Sequence, residues 1–387
     1  MRSARSQVLD SDSAKLDQYM VKSSLRVALV ALGSPYVRRS WSGIPYFALK
    51  EVERRFEHVH VIDTPIVDEW LRRLSWLARL GILLSREPLV SKLFGLYVAR
   101  QLDAAKPDFV ISIGAAHKLA YLRRSWPIVH VADGFYRQII DFYPKYQPLG
   151  KRARRLGDRI QRALFERCAL VMPTSDWAAN CAINDYSVAP ERVMVTPIGA
   201  NLDSFPAPPV LRANTAPLKL LFAGYDWNRK GGQLVLETFR LLRERYDDAE
   251  LHIVGCNPAI TERNVTVYGR LAKSALEELY RRASFFFMPS RQEAFGLVYC
   301  EAAAFGLPSV ATQTGGVGTI ITDHSNGLLL PLEATAEEYA AAILDVWEDE
   351  LAYAKMQYAA RDAFVKRLNW AKWGDVLVER LTSMHAS

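Results

Sequence analysis

Two glutamates in the stretch Pro289 to Gly318 have the residue type and spacing for binding hydroxyl groups. Glu293 precedes a predicted helix, Gly296 to Phe305, and Glu301 lies inside that helix. A carboxylate accepts hydrogen bonds through two oxygens, so both residues suit the hydroxyls of a sugar or a ribose. Each also has an ordinary interpretation, because the helix dipole favours an acid near a helix start and a solvated helix face tolerates an acid without any ligand.

The elements around these glutamates indicate a ligand-binding edge. A predicted strand, Phe285 to Met288, runs into the loop before the helix, so the helix begins at the carboxyl end of a parallel strand. Open α/β sheets bind ligands at that edge, where the first amides of a helix are unpaired and at positive potential. Gly296 allows close approach to the backbone. We therefore expect phosphate or sugar oxygens to contact this turn.

A basic turn follows another predicted strand, Lys219 to Ala223. Arg229 and Lys230 lie at the end of the turn, and Gly231 and Gly232 come directly after them. Cations at this position neutralise a diphosphate, and the glycines keep the backbone open to it. An exposed basic turn without a ligand is the alternative, but the acidic stretch downstream favours a phosphate site.

Candidate residues in the N-terminal half also lie at the ends of predicted strands. Gly43 lies in the loop that opens the first helix, and His117 follows the strand Phe109 to Ile113. Asp133 comes directly after another strand end, and Tyr136 lies three residues further on. Asp133 is the candidate acid facing the acceptor or the reaction. A simple turn glycine and a buried structural histidine are the ordinary alternatives for Gly43 and His117.

Short apolar runs alternate with helical stretches in two series along the chain. This pattern predicts the sheets whose strand ends carry the candidate site residues. The first series is Leu25 to Leu32, His58 to Ile62, Phe109 to Ile113, Ile128 to Val131 and Leu170 to Pro173. The second is Lys219 to Ala223, Glu250 to Val254, Val265 to Tyr268, Phe285 to Met288 and Ser309 to Thr312. Strands that alternate with helices predict parallel sheets covered on both faces. We expect two similar α/β domains in tandem.

The boundaries of these domains follow from composition. Residues 1–24 are polar and predict a flexible tail, and residues 25–203 form the N-terminal domain. We place the interdomain hinge at Ser204 to Pro209, since its prolines lack the amide donors that a helix or a central strand needs. Residues 204–367 form the C-terminal domain, and a last helix within 368–387 is predicted to pack back on the first domain.

Length and hydropathy favour a cytoplasmic enzyme. The chain has 387 residues, of which half are apolar, enough for two domains with separate cores. It contains no uninterrupted apolar run of about 18 residues and no apolar signal region at its start. The four cysteines lie far apart, with no CxxC pair and no histidine at ligand spacing, so the sequence predicts buried free thiols and indicates neither a disulfide framework nor a zinc site.

The net charge of +7 is concentrated before residue 170 and indicates an anionic partner. Trp70 to Tyr97 interleaves tryptophans and leucines with arginines, and Lys151 to Arg162 is densely basic. Such segments suit an anionic membrane surface, although core-facing helices with a solvated basic face are an equal alternative. Nucleic acid is not favoured, because no nucleic-acid-binding motif accompanies the charge.

The acidic block resembles the E-x7-E signature of retaining family 4 glycosyltransferases. The matching residues are Glu293-AFGLVYC-Glu301, the adjoining Phe295-Gly296 and the downstream Gly315-Gly316. The turn Arg229-Lys230-Gly231-Gly232 matches the family independently. The N-terminal half is similar more loosely, and Ile198 replaces an asparagine that is usual in the family's interdomain loop.

The resemblance implies a GT-B fold, with two Rossmann-like domains facing each other across a cleft. It implies a UDP- or GDP-sugar as donor co-substrate, with no other cofactor. Catalytic roles go to Glu293, Asp133, Lys230 and Arg229. Donor contacts go to Gly43, Arg229, Lys230, Ala294, Phe295, Gly296, Leu297 and Glu301, and acceptor-side candidates are His117, Asp133 and Tyr136.

The implied reaction retains the anomeric configuration, and the leaving phosphate takes the proton of a hydroxyl acceptor. No DxD-like metal motif stands out in the two predicted domains, so we expect metal-independent transfer. The acceptor is a glycan, a lipid-linked molecule or another hydroxyl compound, in polysaccharide or glycoconjugate synthesis, with the enzyme cytoplasmic or peripheral on the inner membrane face. An inert carbohydrate-binding or scaffold protein and a nucleotide-sugar epimerase of the same fold are the alternatives.

Overall fold

The computed structural model describes residues 21–208, 210–215 and 217–386, and these form two compact units. The first contains the described residues up to Pro173, then Cys181–Thr196 and the segment from Trp373 onward. The second contains Thr174–Asn180 and Pro197–Lys372. The predicted tail lies outside the described residues up to residue 20, and the first strand already begins at Ser23.

The first unit is built on a parallel sheet with the order β2-β1-β3-β4-β5. Every residue of β3 and β4 is buried, as expected for central parallel strands covered by helices on both faces. The edge strand β2 buries only its first and last residues. The strands are β1 (Ser23–Ala31), β2 (Phe56–Ile62), β3 (Phe109–Ile113), β4 (Ile128–Ala132) and β5 (Cys168–Pro173).

The helices that accompany this sheet follow the apolar pattern of their sequences. In the first of them, Ile44, Phe47, Ala48 and Val52 form the buried stripe, and the helix ends where β2 begins. The helices are α1 (Ile44–Arg55), α2 (Pro65–Arg73), α3 (Pro88–Ala105), α4 (Ala116–Leu119), α5 (Tyr136–Phe142) and α6 (Lys151–Arg167). Short 3-10 turns, Leu74–Leu80 and Leu84–Arg86, connect α2 to α3.

The second unit has a parallel sheet with the order β11-β10-β9-β6-β7-β8. Its strands are β6 (Lys219–Ala223), β7 (Glu250–Val254), β8 (Val265–Gly269), β9 (Phe285–Met288), β10 (Ser309–Thr312) and β11 (Gly327–Leu330). Its helices are α7 (Asp176–Asn180), α8 (Gly232–Arg245), α9 (Lys273–Arg282), α10 (Leu297–Ala304), α11 (Val317–Ile320), α12 (Ala336–Glu348) and α13 (Glu350–Arg367). A final helix, α14 (Trp370–Ala386), begins in this unit and continues into the first.

Helix α10 occupies the interior of the second unit. Its six residues from Tyr299 to Ala304 are all buried, so it has no solvent-facing stripe over that span. The preceding strand β9 is entirely buried as well. The strand and the helix therefore fix the loop between them, which carries Glu293, at the carboxyl edge of the sheet.

The ten predicted strands each have a counterpart, and most boundaries agree within two residues. Strand β11 was not predicted, because the four residues GLLL are too few, and lack the periodicity, to distinguish a strand from a loop. Residues 204–208, within the predicted hinge, lie in the second unit. There Arg361 Nη2 donates to the carbonyls of Pro206 and Ala207, at 2.8 and 3.1 Å.

The part of α14 that lies in the first unit packs on α1. Arg55 Nη1 is 2.7 Å from Asp375 Oδ1, and a side chain at Gly374 would collide with Glu51. Trp373 and Leu377 supply the buried face. Within the part of the chain that the structure describes, no helix combines the length and the apolar character needed to cross a bilayer.

Candidate functional site

The turn after β6 is held against the loop after β9 by its glycine. Gly231 has φ of +76°, a left-handed conformation that favours glycine, and it caps the start of α8. A side chain here would collide with the carbonyl oxygen of Pro289. Glycine at this position therefore allows two strand-end loops to touch, and it brings Lys230 to the same place as Glu293.

Lys230 and Glu293 form an ion pair between these two loops. The Lys230 ammonium donates to Glu293 Oε2, and each side chain keeps 12% of its surface exposed. Neither charge is sealed in the interior, so a ligand can compete for or share both groups. The two residues that the sequence assigned to the phosphate and to the sugar are therefore direct neighbours.

Arg229 connects the same two loops through hydrogen bonds. Its Nη1 donates to the carbonyl of Gln292 at 2.8 Å, and its Nε lies 3.5 Å from Asp226 Oδ2. Its own carbonyl accepts from the amide of Arg291 at 2.8 Å. The guanidinium thus holds the loop that carries Glu293 while 28% of its side chain remains exposed.

Glu301 lies deeper and has two partners that sequence reasoning missed. Lys273 Nζ donates to its Oε1 at 2.6 Å, and the Tyr280 hydroxyl donates to its Oε2 at 3.3 Å. Only 7% of the Glu301 side chain is exposed, against 34% for Lys273. Burial, and then the charge of Glu301, raise the pKa of Tyr280 well above its usual value. Lys273 is the first residue of α9, shortly after β8. Its position as a cation after a strand end is the signal from which the sequence could have identified it as a site residue.

The start of α10 offers backbone rather than side chains. Ala294 and Phe295 are buried, and Gly296, at φ of +103°, is the residue before the helix. The carbonyls of Glu293 and Ala294 accept from the amide of Gly316, at 3.2 and 3.1 Å. Contacts of Ala294 and Phe295 with a ligand would therefore use their main chains, while Leu297 is half-buried.

In the first unit, Gly43 ends a strained loop. Trp41, Ser42 and Gly43 have φ of 39°, 56° and 88°, three left-handed residues in succession, of which glycine alone adopts this conformation without cost. The Trp41 ring covers Gly114 at the end of β3. Gly43 then caps α1 and is buried.

His117 and Tyr136 are interior residues. His117 is 2% exposed and meets the Phe94 ring edge to face at 5.3 Å. Burial, reinforced by the nearby cations Arg86 and Lys118, lowers the pKa of His117 well below its usual value. The Tyr136 hydroxyl donates to the carbonyl of Ala153 at 2.9 Å. Both positions favour a structural role over contact with an acceptor.

Asp133 differs from these two residues because it is half-buried, directly after β4. It is the acceptor-side candidate that best keeps access to solvent. Gly43, His117, Asp133 and Tyr136 all belong to the first unit, whereas Arg229, Lys230 and the residues from Glu293 to Glu301 belong to the second.

The four cysteines are free, and Cys256 alone among them is only half-buried. Burial raises the pKa of the Cys181 thiol to about 12, so it is unreactive. Among the described residues, no group of three or more His, Cys, Asp or Glu side chains is arranged to hold a metal ion.

Family models match both halves of the chain. Residues 47–204 match the model described as Glycosyltransferase Family 4, and residues 217–349 match the model described as Glycosyl transferases group 1. The second match contains the two loops, the helix α10 and all four members of the Lys–Glu pairs. The part of the candidate site that belongs to the second unit therefore lies inside the region that matches the model described as Glycosyl transferases group 1.

Curated relatives are similar to the chain in sequence, and solved structures are similar to it in fold. D-inositol 3-phosphate glycosyltransferase from Pseudarthrobacter chlorophenolicus is 27% identical over 61% of this chain and 59% of its own length. The protein of the same name from Jonesia denitrificans is 30% identical over 56% of this chain and 57% of its own length. The chain thus spans less than two thirds of either relative.

The structure of sucrose-phosphate synthase from Thermosynechococcus elongatus superposes with a TM-score of 0.64. The match covers 94% of this chain and 100% of that chain at 18% sequence identity, which is a likeness of fold. Together with the two parallel sheets, it confirms the predicted GT-B fold.

Proposed function

We propose that this chain, a GT-B protein with glycosyltransferase family regions in both halves, is a retaining glycosyltransferase that uses a nucleotide-diphosphate sugar. The observation that carries the proposal is the placement of two Lys–Glu pairs at the carboxyl edge of the second sheet. Lys230–Glu293 and Lys273–Glu301 lie beside the start of α10, which offers backbone amides. Cations, acceptors and amides together match the groups of such a donor.

The diphosphate is assigned to Lys230, Arg229 and the first amides of α10. An ammonium has three donors, and the contact with Glu293 uses one of them. The guanidinium and the amides at the helix start add positive potential to the same turn. A leaving diphosphate gains negative charge as its bond to the sugar breaks, and fixed donors of this kind stabilise it.

The sugar and the ribose are assigned to the two glutamates. A carboxylate has about four acceptor directions, and Lys273 and Tyr280 occupy two of those on Glu301. The remaining directions are suited to ribose hydroxyls. Glu293, at the loop between β9 and α10, is assigned to hydroxyls of the donor sugar, with Lys230 orienting its carboxylate.

Transfer on this scheme proceeds on one face of the sugar. The bond from the anomeric carbon to the diphosphate oxygen breaks, and the acceptor oxygen bonds to that carbon from the same side. The acceptor proton passes to the departing phosphate oxygen, so no metal ion and no separate base is required. Asp133 is retained as the acceptor-side residue that orients the attacking hydroxyl.

The acceptor is proposed to be a hydroxyl compound, either a glycan or a lipid-linked molecule, in polysaccharide or glycoconjugate assembly. The relatives are named for D-inositol 3-phosphate, and the structural neighbour for sucrose phosphate. Those names describe those proteins. For this chain, the concentration of basic residues before residue 170 supports an anionic or membrane-borne acceptor.

The test is a thermal-shift screen of the full chain against UDP- and GDP-sugars, followed by measurement of nucleotide release with and without hydroxyl acceptors. We expect one nucleotide sugar to raise the melting temperature, and release to depend on an acceptor. Binding without release would indicate an inert carbohydrate-binding or scaffold protein. Conversion of the donor without any acceptor would indicate an epimerase, and an inverted product anomer by NMR would contradict retention.

A further inference from the structure

The first unit exposes an unusual concentration of large apolar side chains between residues 66 and 97. Ten of the 21 such side chains exposed among the described residues lie in this segment. Single exposed apolar residues are normal on a protein surface, but a cluster marks a site of contact. The segment therefore needs an explanation that the donor site does not supply.

Helix α3 has two apolar faces. One face, with Phe94, Val98 and Leu102, is buried in the first unit. The other places Leu89 and Leu93 at the spacing of one helix face, and they are 70% and 58% exposed. A helix that only covered a core would carry polar residues there, so the second face is built for another contact.

Helix α2 and the turn after it also expose apolar side chains. No residue of α2 is buried, and Ile66 and Trp70 are 84% and 52% exposed. Trp76 and Leu80 continue the exposure through the 3-10 turn, at 55% and 65%. Since Asp68 pairs with the buried Lys118 at 2.7 Å, the helix is fixed to the unit while its apolar side chains face outward.

Basic residues surround these apolar side chains. The segment has five basic residues, of which Arg86 has its Nε and Nη1 atoms buried, and three acidic residues. Residues 151–162 at the start of α6 have six basic residues and one acidic residue. Arg72 and Arg73 are more than 70% exposed and share one acid, Glu69. Arg152 Nη2 donates to Glu87 at 2.7 Å, which places the basic start of α6 beside α3.

We propose that this apolar-basic surface, formed by residues 66–97 and the start of α6, docks on an anionic lipid bilayer. Exposed leucines enter the acyl boundary, tryptophans suit the interfacial layer, and arginines meet lipid phosphates. A second copy of the chain is disfavoured as occupant, because a symmetric interface would place two cationic surfaces face to face. The contact is peripheral and uses no residue of the proposed donor site.

The experiment is co-sedimentation of the full chain with vesicles of phosphatidylcholine and phosphatidylglycerol, and with vesicles of phosphatidylcholine alone. We expect binding to the anionic vesicles that weakens as sodium chloride is added. The double variant Leu89→Ser/Leu93→Ser is expected to lower the partition coefficient at least about tenfold. Its matched control is Leu351→Ser/Leu332→Ser, since those leucines are 71% and 48% exposed in the second unit.

The cations have a matched control as well. Arg72→Gln/Arg73→Gln is expected to weaken binding to anionic vesicles, whereas Arg282→Gln/Lys366→Gln is expected to leave it unchanged. All four are exposed and paired with a nearby acid on their own helix. Nucleotide-sugar thermal shifts, measured on the same variants, are expected to stay at the wild-type value, which separates this surface from the donor site.

Three results would overturn the proposal. The first is absence of binding to anionic vesicles at low salt, and the second is equal loss in the control leucine variant. The third is a wild-type dimer in sedimentation velocity that Leu89→Ser/Leu93→Ser dissociates, without vesicle binding by either protein. That last outcome would identify the apolar-basic surface as an interface between copies of the chain.

Discussion

The carboxyl edges of the two sheets are built alike and used differently. In the second unit, Lys230 and Glu293 follow two different strands and form a pair in which each side chain is 12% exposed. In the first unit, Lys118 is 1% exposed and donates to Ala31 O, Thr64 Oγ1 and Asp68 Oδ2 at 2.7 to 2.8 Å. We call the edge of the second sheet the open edge, because both charges of its pair reach solvent. We call the edge of the first sheet the closed edge, because Lys118 does not reach solvent, although Asp133 there is half-buried.

This difference shows that position at a strand end does not by itself make a residue functional. A buried charge must be fully paired, so Lys118 is committed to joining the ends of β1 and the loop after β2. Lys230 and Glu293 instead lie on glycine-containing turns, and both keep part of their side chains exposed. Partial exposure of both partners of the ion pair distinguishes the binding edge from the structural one.

Replacing Lys230 by alanine should produce the largest effect and tests the open edge directly. It removes a cation assigned to the leaving diphosphate, and we expect kcat/KM to fall by about 10²- to 10³-fold. Nucleotide release under conditions well below KM measures this loss. A variant of the closed edge, His117→Asn, should retain wild-type activity per folded molecule.

The double variant Lys230→Met/Glu293→Gln separates charge from fold. It removes both members of the pair, so no carboxylate is left without its cation, and its melting temperature should exceed that of Lys230→Ala. Its activity should stay as low as that of the single variant. Substantial transfer by either protein would remove Lys230 from the site.

Replacing Lys118 by methionine tests the closed edge through stability. The substitution leaves Asp68, whose side chain is 15% exposed, without its cation. Burial already raises the pKa of Asp68, while Lys118 acts in the opposite direction. We expect the free energy of unfolding to fall by about 3 kcal/mol in urea titrations. Lys118→Met/Asp68→Asn should recover part of it, and a loss well below about 1 kcal/mol would show that the contact is dispensable.

The fold was accessible from sequence because the apolar runs and the helical stretches alternate without ambiguity. Phe109 to Ile113 and Phe285 to Met288 are apolar throughout or nearly so, which is the pattern of central parallel strands, and each is a strand with those bounds. Gly231 and Gly296 marked the turns correctly, since both have positive φ. Local signals sufficed for these elements.

The pairings in the site were not accessible in the same way. Lys273 and Tyr280 reach Glu301 from a different element, and no local pattern records a contact across 28 or 21 residues. His117 and Tyr136 shared the strand-end signal of Asp133, but their burial depends on packing by Phe94 and Gly157. Such packing is a property of the assembled unit.

Replacing Glu301 by glutamine should lower transfer activity less than Lys230→Ala does. It tests whether the Lys273–Glu301 pair binds the ribose of the donor. The amide keeps the size of the side chain but loses the charge that Lys273 pairs with at 2.6 Å. We expect KM for the nucleotide sugar to rise about tenfold with little change in kcat, because the contact is equal in the ground and transition states. A fall in kcat at constant KM would place Glu301 at the reacting centre.

Replacing His130 by asparagine tests the closed edge through pH, with the smallest expected effect. His130 is buried, its Nδ1 is 2.9 Å from Ser112 Oγ, and burial lowers its pKa to about 3. The unfolded chain binds a proton near pH 6.5, where the folded chain does not, so this contribution is present above about pH 6.5 and is lost as the pH falls toward 3.

As the pH falls from about 7 to about 6, His130 lowers the free energy of unfolding by about 0.7 kcal/mol. Urea titrations at both values should therefore show a smaller drop in stability for His130→Asn than for the wild-type chain. The buried His117 is present in both proteins and cancels in this difference. Equal drops in the two proteins would mean that His130 is protonated in the folded state, and that the edge of the first sheet is more open than its burial indicates.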